Sequence, residues 1–203
     1  IFYLFNSIQY IQSQSITSDE GTFYDYAKRF MQGDPSRVTP RSDNSKMPVV
    51  VLNTLPRVAQ SILNPGLKKS DGGVSDIMMG RYITLLISVL TILLVYKWAK
   101  EIYGLNAALF SALLMSLCPN NLANAGLVTT DSYSVFMLLL CMYALWNFLK
   151  YSGMKRFIFF SVIVALSQLV KQSLFHLYIL VPLIFIIYLK QKNFYENNLD
   201  YRN

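Results

Sequence analysis

The chain has few charged residues and almost no acidic ones over most of its length. Charged side chains make up 14% of its 203 residues, whereas hydrophobic side chains make up 54%; an average soluble domain is about 25% charged. Seven of the eleven acidic residues lie between Asp19 and Asp76, and only Glu101 and Asp131 lie between 77 and 189. This composition excludes a disordered chain and a coiled coil, and it indicates an integral membrane protein.

Motifs of soluble enzymes are also missing. There is one histidine, and the two cysteines, Cys118 and Cys141, lie in apolar segments typical of small buried side chains. No CxxC, HExxH, Walker or GxGxxG pattern occurs. The net charge of +7 raises the question of nucleic acid, but membrane topology explains the basic residues better, so we expect no nucleic-acid partner.

Apolar runs predict several membrane spans. Residues 1–11 are interpreted as the end of a truncated first transmembrane helix, which makes the chain a fragment. Five further transmembrane helices are predicted at about 77–96, 107–128, 133–149, 157–170 and 174–189, followed by a cytoplasmic tail or loop at 191–203. Pro119 predicts a bend or break in the second of the five.

Basic residues alternate between successive turns. The turns at 97–106 and 150–156 and the segment from Lys190 onward carry eight Lys or Arg residues. The intervening turns carry only Lys171. The positive-inside rule therefore places the basic turns in the cytoplasm and residues 12–76 outside.

The segment 12–76 is predicted to be a structured extracytoplasmic loop with amphipathic helices. Apolar residues recur at helical spacing from Phe23 to Met31, after a cap at Ser18 or Asp19 and before a stop at Gly33. Residues 47–63 form a second amphipathic stretch. The expected fold class is therefore an all-α, multi-span membrane bundle with a long first outer loop.

The order of several short motifs resembles a known superfamily. Asp19-Glu20 is followed by Tyr24, Ala27 and Lys28, then by GD at 33–34, K-x-P at 46–48, GRYITLLISVL at 80–90 and YKWAKEIYGLNAALFSALLMSLCPNNLANAGLVTTDSYSVF at 96–136. This series is similar to the N-terminal membrane part of GT-C glycosyltransferases that use polyprenyl-phosphate sugars. Protein O-mannosyltransferases and aminoarabinose transferases (glycosyltransferase families 39 and 83) are examples.

The resemblance implies a carboxylate base in the first outer loop. Asp19, with Glu20 beside it, matches the acidic residue that takes the proton from the acceptor hydroxyl. Asp19 or Glu20 as a mere cap of the following helix is the alternative.

The resemblance also implies cations for the polyprenyl phosphate. Arg81, Lys171 and Lys46 match the family's basic residues. An intramembrane charge is a functional hypothesis by default, and snorkelling to the interface is the alternative for Arg81 and Lys171. Ser45 stands where one branch has an acidic metal ligand, which argues against a bound divalent metal without excluding it; the lipid-linked sugar is the expected donor.

Asp131, in the sequence TTDS, matches a family motif that helps to shape the acceptor site or a metal site. An N-cap for the helix at 132–149 is the alternative, and one residue can serve both purposes.

The predicted function is that of a hexosyl or pentosyl transferase. It moves a sugar from a polyprenyl-phosphate donor to a hydroxyl of a protein, lipid or glycan on the extracytoplasmic face, in a multi-pass protein of a prokaryotic plasma membrane rather than the endoplasmic reticulum. Membrane lipid, the donor and a protein or glycolipid acceptor are the expected partners. A transporter segment and a non-catalytic fragment of the same fold are the alternatives.

Overall fold

A computed structural model describes residues 2–34, 47–64 and 73–200, with side chains through 191. All secondary structure in these ranges is helical. The elements, in chain order, are α1 (Phe2–Ser13), α2 (Ser18–Met31), a 3-10 helix (Pro48–Thr54), α3 (Leu55–Leu63), α4 (Val74–Tyr103), α5 (Leu105–Leu117), α6 (Pro119–Ala125), α7 (Asp131–Tyr151), α8 (Met154–Ser167), a second 3-10 helix (Gln172–His176) and α9 (Leu177–Asp200).

Three segments in the described residues are long and apolar enough to cross a membrane: Val74–Tyr103, Asp131–Tyr151 and Gln172–Gln191. Helices α5 and α6 together form a fourth candidate span, bent by 62° at their junction. The predicted all-helical, multi-span fold is therefore confirmed.

The helix ends differ in detail from the predicted spans. Helix α4 extends beyond 77–96 at both ends, and α9 continues to Asp200, past the predicted start of the tail at 191. Pro119 is the first residue of α6, so the predicted break falls where the proline removes a backbone donor. Helix α8 has 14 residues, or about 21 Å, which is shorter than a hydrocarbon core of about 30 Å.

Helix α2 begins with a complete capping box. Thr17, rather than Ser18 or Asp19, is the N-cap: its side chain accepts from the Glu20 backbone N–H, and the Glu20 carboxylate accepts from the Thr17 N–H. The helix ends before Gly33, whose φ of 83° favours glycine.

The outer loop packs on the start of α4. Aromatic side chains of α2 share a core with Val50 of the first 3-10 helix, Ile77 of α4 and Val128. Asn53 fixes this contact, because its side-chain amide donates to Gly80 O and to Thr84 Oγ1, each at 2.8 Å. Its Oδ1 accepts from the Tyr133 hydroxyl of α7 at 2.9 Å. The loop and the bundle therefore form one packed unit at this end of the molecule.

Candidate functional site

Arg81 and Glu20 form a fully buried ion pair. The Arg81 Nε lies 2.8 Å from Glu20 Oε1, and Nη2 lies 2.7 Å from Oε2, with neither side chain exposed to solvent. Two parallel bonds of this kind are the strongest geometry available to a guanidinium and a carboxylate. The pair joins the first turn of α2 to the first turns of α4.

The remaining donors of Arg81 are also occupied. Its Nη1 donates to Ile11 O and Gln14 O at 3.1 and 2.9 Å, and its Nη2 donates to Ser15 O at 2.9 Å. A guanidinium has five N–H donors, and each one here has a protein acceptor. In this arrangement Arg81 holds the end of α1 and the α1–α2 connection, and all five of its donors are used by protein oxygens.

Glu20 has a second function in the packing. Its Oε1 accepts from the backbone N–H of Val128 at 3.0 Å, which fixes the turn between α6 and α7. Burial raises the pKa of Glu20, but hydrogen bonds from Arg81, Thr17 and Val128 lower it and prevail, so the pKa lies below its ordinary value. Glu20 is thus held as a carboxylate.

Asp19 is the exposed neighbour of this buried carboxylate. Successive residues on a helix point about 100° apart, so the inward orientation of Glu20 is compatible with an outward orientation of Asp19. No ion pair of the Asp19 side chain occurs among the described residues. Asp19 is therefore accessible to an incoming hydroxyl.

The structure brings together two other predicted residues. Lys171 Nζ lies 2.5 Å from Asp131 Oδ1, with a third of the lysine side chain and about half of the aspartate side chain exposed. Asp131 is the first residue of α7, and Thr130, its N-cap, makes no side-chain capping bond. The pair therefore connects the start of α7 to the segment after α8.

A cavity of about 240 Å³ adjoins Asp131. Its lining includes three amides of α6, Asn120, Asn121 and Asn124, together with Cys118 and Ser132. The sequence predicted a break at Pro119, but it did not single out these asparagines as the wall of a cavity. The signal was their spacing, because residues three and four apart share a face of a helix.

Two further points of the site prediction concern Lys46 and a bound metal ion. Lys46 lies outside the described residues. In the described part of the chain, no group of three or more His, Cys, Asp or Glu side chains is arranged to hold a metal ion.

Comparisons with known proteins identify the family. Residues 73–199 match the dolichyl-phosphate-mannose-protein mannosyltransferase family. Comparisons with curated proteins and with solved structures gave no match. The match covers more than half of the chain, from the start of α4 nearly to the end of α9. The chain therefore belongs to the dolichyl-phosphate-mannose-protein mannosyltransferase family, whose members are multi-pass membrane glycosyltransferases that use polyprenyl-phosphate sugars.

Proposed function

We propose that the protein transfers a sugar from a polyprenyl phosphate to an acceptor hydroxyl at the extracytoplasmic face. Asp19 takes the hydroxyl proton as the acceptor oxygen attacks the anomeric carbon. The bond between that carbon and the phosphate oxygen breaks, and the polyprenyl phosphate leaves with the electron pair. This single displacement inverts the anomeric configuration. Family membership supports the donor class, and the family's description favours mannose and a protein acceptor.

The observation that carries this proposal is a hydrogen bond that connects the region of Asp19 to the region of Asp131. Glu20 binds the Val128 backbone, three residues before Asp131 in the chain. This hydrogen bond therefore links the start of α2, which carries Asp19, to the turn that leads into α7. Asp131 is the first residue of α7. A proton acceptor and a lysine-bound carboxylate attached to one hydrogen-bonded frame support the proposal, because a displacement reaction requires groups in fixed positions.

Lys171 is the cation that we assign to the donor phosphate. Its ion pair with Asp131 is partly exposed, and such pairs contribute only about 0–1 kcal/mol. A phosphate can therefore replace the carboxylate as the partner of the ammonium group at little cost. Asp131, released from the lysine, would then accept a hydrogen bond from the acceptor. Lys46 is proposed as a second phosphate ligand on the sequence resemblance alone.

Arg81 and Glu20 are reassigned in this proposal from direct contact with substrate to positioning. All five Arg81 donors are occupied by protein oxygens, and a phosphate would have to break a buried, bidentate pair to reach them. Such a pair costs several kcal/mol to disrupt from one side. We infer that both residues hold Asp19 in place.

The decisive experiment compares two Asp-to-Asn variants on helix α2. Sugar transfer from a polyprenyl-phosphate donor is measured in membranes that contain the protein, with Asp19→Asn and the matched control Asp25→Asn. Asp25 is also exposed, and it pairs only with Arg29 in the described structure. We expect Asp19→Asn to lower the transfer rate by about 100-fold or more, the scale of general base catalysis, and Asp25→Asn to leave it unchanged. Equal rates in the two variants would remove Asp19 from the reaction.

The sugar and the acceptor are tested in the same membranes. Mannosyl and aminoarabinosyl donors are each supplied with a serine-containing peptide or a lipid A acceptor. Transfer of mannose to the peptide supports the protein acceptor. Transfer of aminoarabinose to lipid A would place the protein in the other branch of the superfamily.

A further inference from the structure

A row of alternating cations and aromatic rings lies at the end of the bundle opposite Arg81. It is formed by the C-terminal turns of α4 and α7 and by the first turn of α8. Its members are Lys97, Tyr143, Trp146, Lys150, Tyr151 and Arg156. Trp98 packs against it, with ring centroids 6.0 Å from Tyr143 and 6.3 Å from Trp146. We call this group the basic-aromatic row.

The cations of the row are held in place on ring faces. Lys97 Nζ lies 5.2 Å from the centroid of Tyr143, and Lys150 Nζ lies 4.7 Å from that of Trp146 and 5.0 Å from that of Tyr151. Both lysines are exposed. A cation on an aromatic face is attracted to it electrostatically, so these ammonium groups are oriented before any ligand arrives. The positive-inside rule accounts for positive charge on this side of the membrane, but it does not account for ammonium groups held on ring faces.

One carboxylate, that of Glu101, lies beside the row, which contains three cations. No carboxylate within the described side chains forms an ion pair with Lys97, Lys150 or Arg156. The nearby Glu101 instead accepts a hydrogen bond from the Tyr143 hydroxyl at 3.1 Å. The row thus presents concentrated positive charge at a membrane boundary.

An unused donor lies in the same group. The Trp98 Nε1 is buried and has no hydrogen-bond partner among the described residues. Buried polar groups are almost always satisfied by protein, water or ligand. The indole N–H has no accessible surface here, so a headgroup at the membrane surface would contact the exposed ammonium groups of the row instead.

We propose that the basic-aromatic row binds the headgroup of an anionic phospholipid. The phosphate would lie between the exposed ammonium groups of Lys97 and Lys150. The aromatic rings would lie at headgroup depth, where tyrosine and tryptophan are enriched in membrane proteins. The leaflet is the one facing the basic turns, which the positive-inside rule makes cytoplasmic, and that leaflet is rich in anionic lipid. This site is separate from the proposed transfer reaction and does not depend on it.

Tryptophan fluorescence reports this site directly. The chain contains two tryptophans, and both, Trp98 and Trp146, belong to the group. The protein is reconstituted in phosphatidylcholine bilayers that contain an equal mole fraction of brominated phosphatidylglycerol or brominated phosphatidylcholine, since bromine quenches tryptophan at short range. We expect stronger quenching by the anionic lipid. Equal quenching by the two lipids in the wild-type protein would overturn the proposal.

Two double variants separate a built site from general attraction to a charged surface. Lys97→Gln/Lys150→Gln removes the two ring-bound ammonium groups, and Lys155→Gln/Lys190→Gln removes two exposed ones of the same predicted side. The first variant should lose most of the preference for the anionic lipid, and the second should keep most of it, because only the first removes the cations held on ring faces. An equal loss in both would mean diffuse attraction only.

A soluble competitor identifies the source of the phosphate. Glycerol phosphate and inorganic phosphate should leave the quenching difference intact, because neither carries acyl chains that partition into the bilayer. If either abolishes the difference, the row binds free phosphate and the lipid assignment is wrong.

Discussion

Asp19 and Glu20 are neighbours in the chain, but their carboxylates lie in opposite surroundings. Asp19 is exposed, while Glu20 has no exposed surface and accepts bonds from Arg81, Thr17 and Val128. Removing one member of a buried pair leaves the other charge without a partner and costs about 3–5 kcal/mol, whereas replacing both with uncharged residues costs less. We expect Arg81→Met to destabilise the protein by about that amount and Glu20→Gln/Arg81→Met to recover part of it. Thermal unfolding of the purified protein in detergent measures both; equal stability of the two variants would exclude a coupled pair.

Glu20 also predicts how stability depends on pH. Its pKa in the folded protein lies below the ordinary value of 4.5. A lowered folded-state pKa contributes stability that is fully present above the unfolded-state pKa and is lost as the pH falls through the folded-state value. The melting temperature should therefore fall below about pH 4.5, and the fall should be smaller in Glu20→Gln than in the control Asp25→Asn. An identical acid response in the two variants would contradict this assignment.

At the scale of elements, close approach of the first 3-10 helix to α4 requires a glycine. A Cβ on Gly80 would lie 2.9 Å from Asn53 O and 3.3 Å from Asn53 Cβ. Because Asn53 O is a backbone atom of the first 3-10 helix, that helix would have to shift to make room. We expect Gly80→Ala to destabilise the protein by about 1–3 kcal/mol through overpacking. Gly21→Ala is the matched control, because nothing lies within 4 Å of its Cβ and alanine favours a helix by about 0.5–1 kcal/mol. Thermal unfolding distinguishes the two; a harmless Gly80→Ala would show that the loop is not tightly docked.

At the scale of the whole molecule, sidedness follows from the basic turns. Single cysteines are introduced at Ser18, Ser173, Asn106 and Lys155 of a variant in which Cys118 and Cys141 are replaced by alanine. All four positions are exposed. We expect a membrane-impermeant thiol reagent to label Ser18→Cys and Ser173→Cys from outside, and Asn106→Cys and Lys155→Cys only after permeabilisation. Labelling of Lys155→Cys in intact cells would reverse the topology.

Much of the helical layout could be predicted because local rules determine it. Apolar length indicated α4 and α7, Pro119 marked the break before α6, and Gly33 marked the end of α2. The N-cap was misplaced by one residue or two, because Ser18, Asp19 and Thr17 are all good capping residues and only the backbone geometry chooses among them. Pairings such as Asn53 with Tyr133 had no sequence signal, since they join residues far apart in the chain.

The sequence by itself determined that the chain is a helical membrane protein of a sugar-transferring superfamily, because hydropathy, charge alternation and motif order are properties of the chain in one dimension. It also gave the site residues that the proposal uses, Asp19, Asp131 and Lys171, as predictions. Only the tertiary structure decided their partners. It directed the five donors of Arg81 to Glu20 and backbone carbonyls, and it brought Lys171 to Asp131 across forty residues. The reason is physical: a buried charge must find its counter-charge in space, and where the chain folds back decides which one it meets.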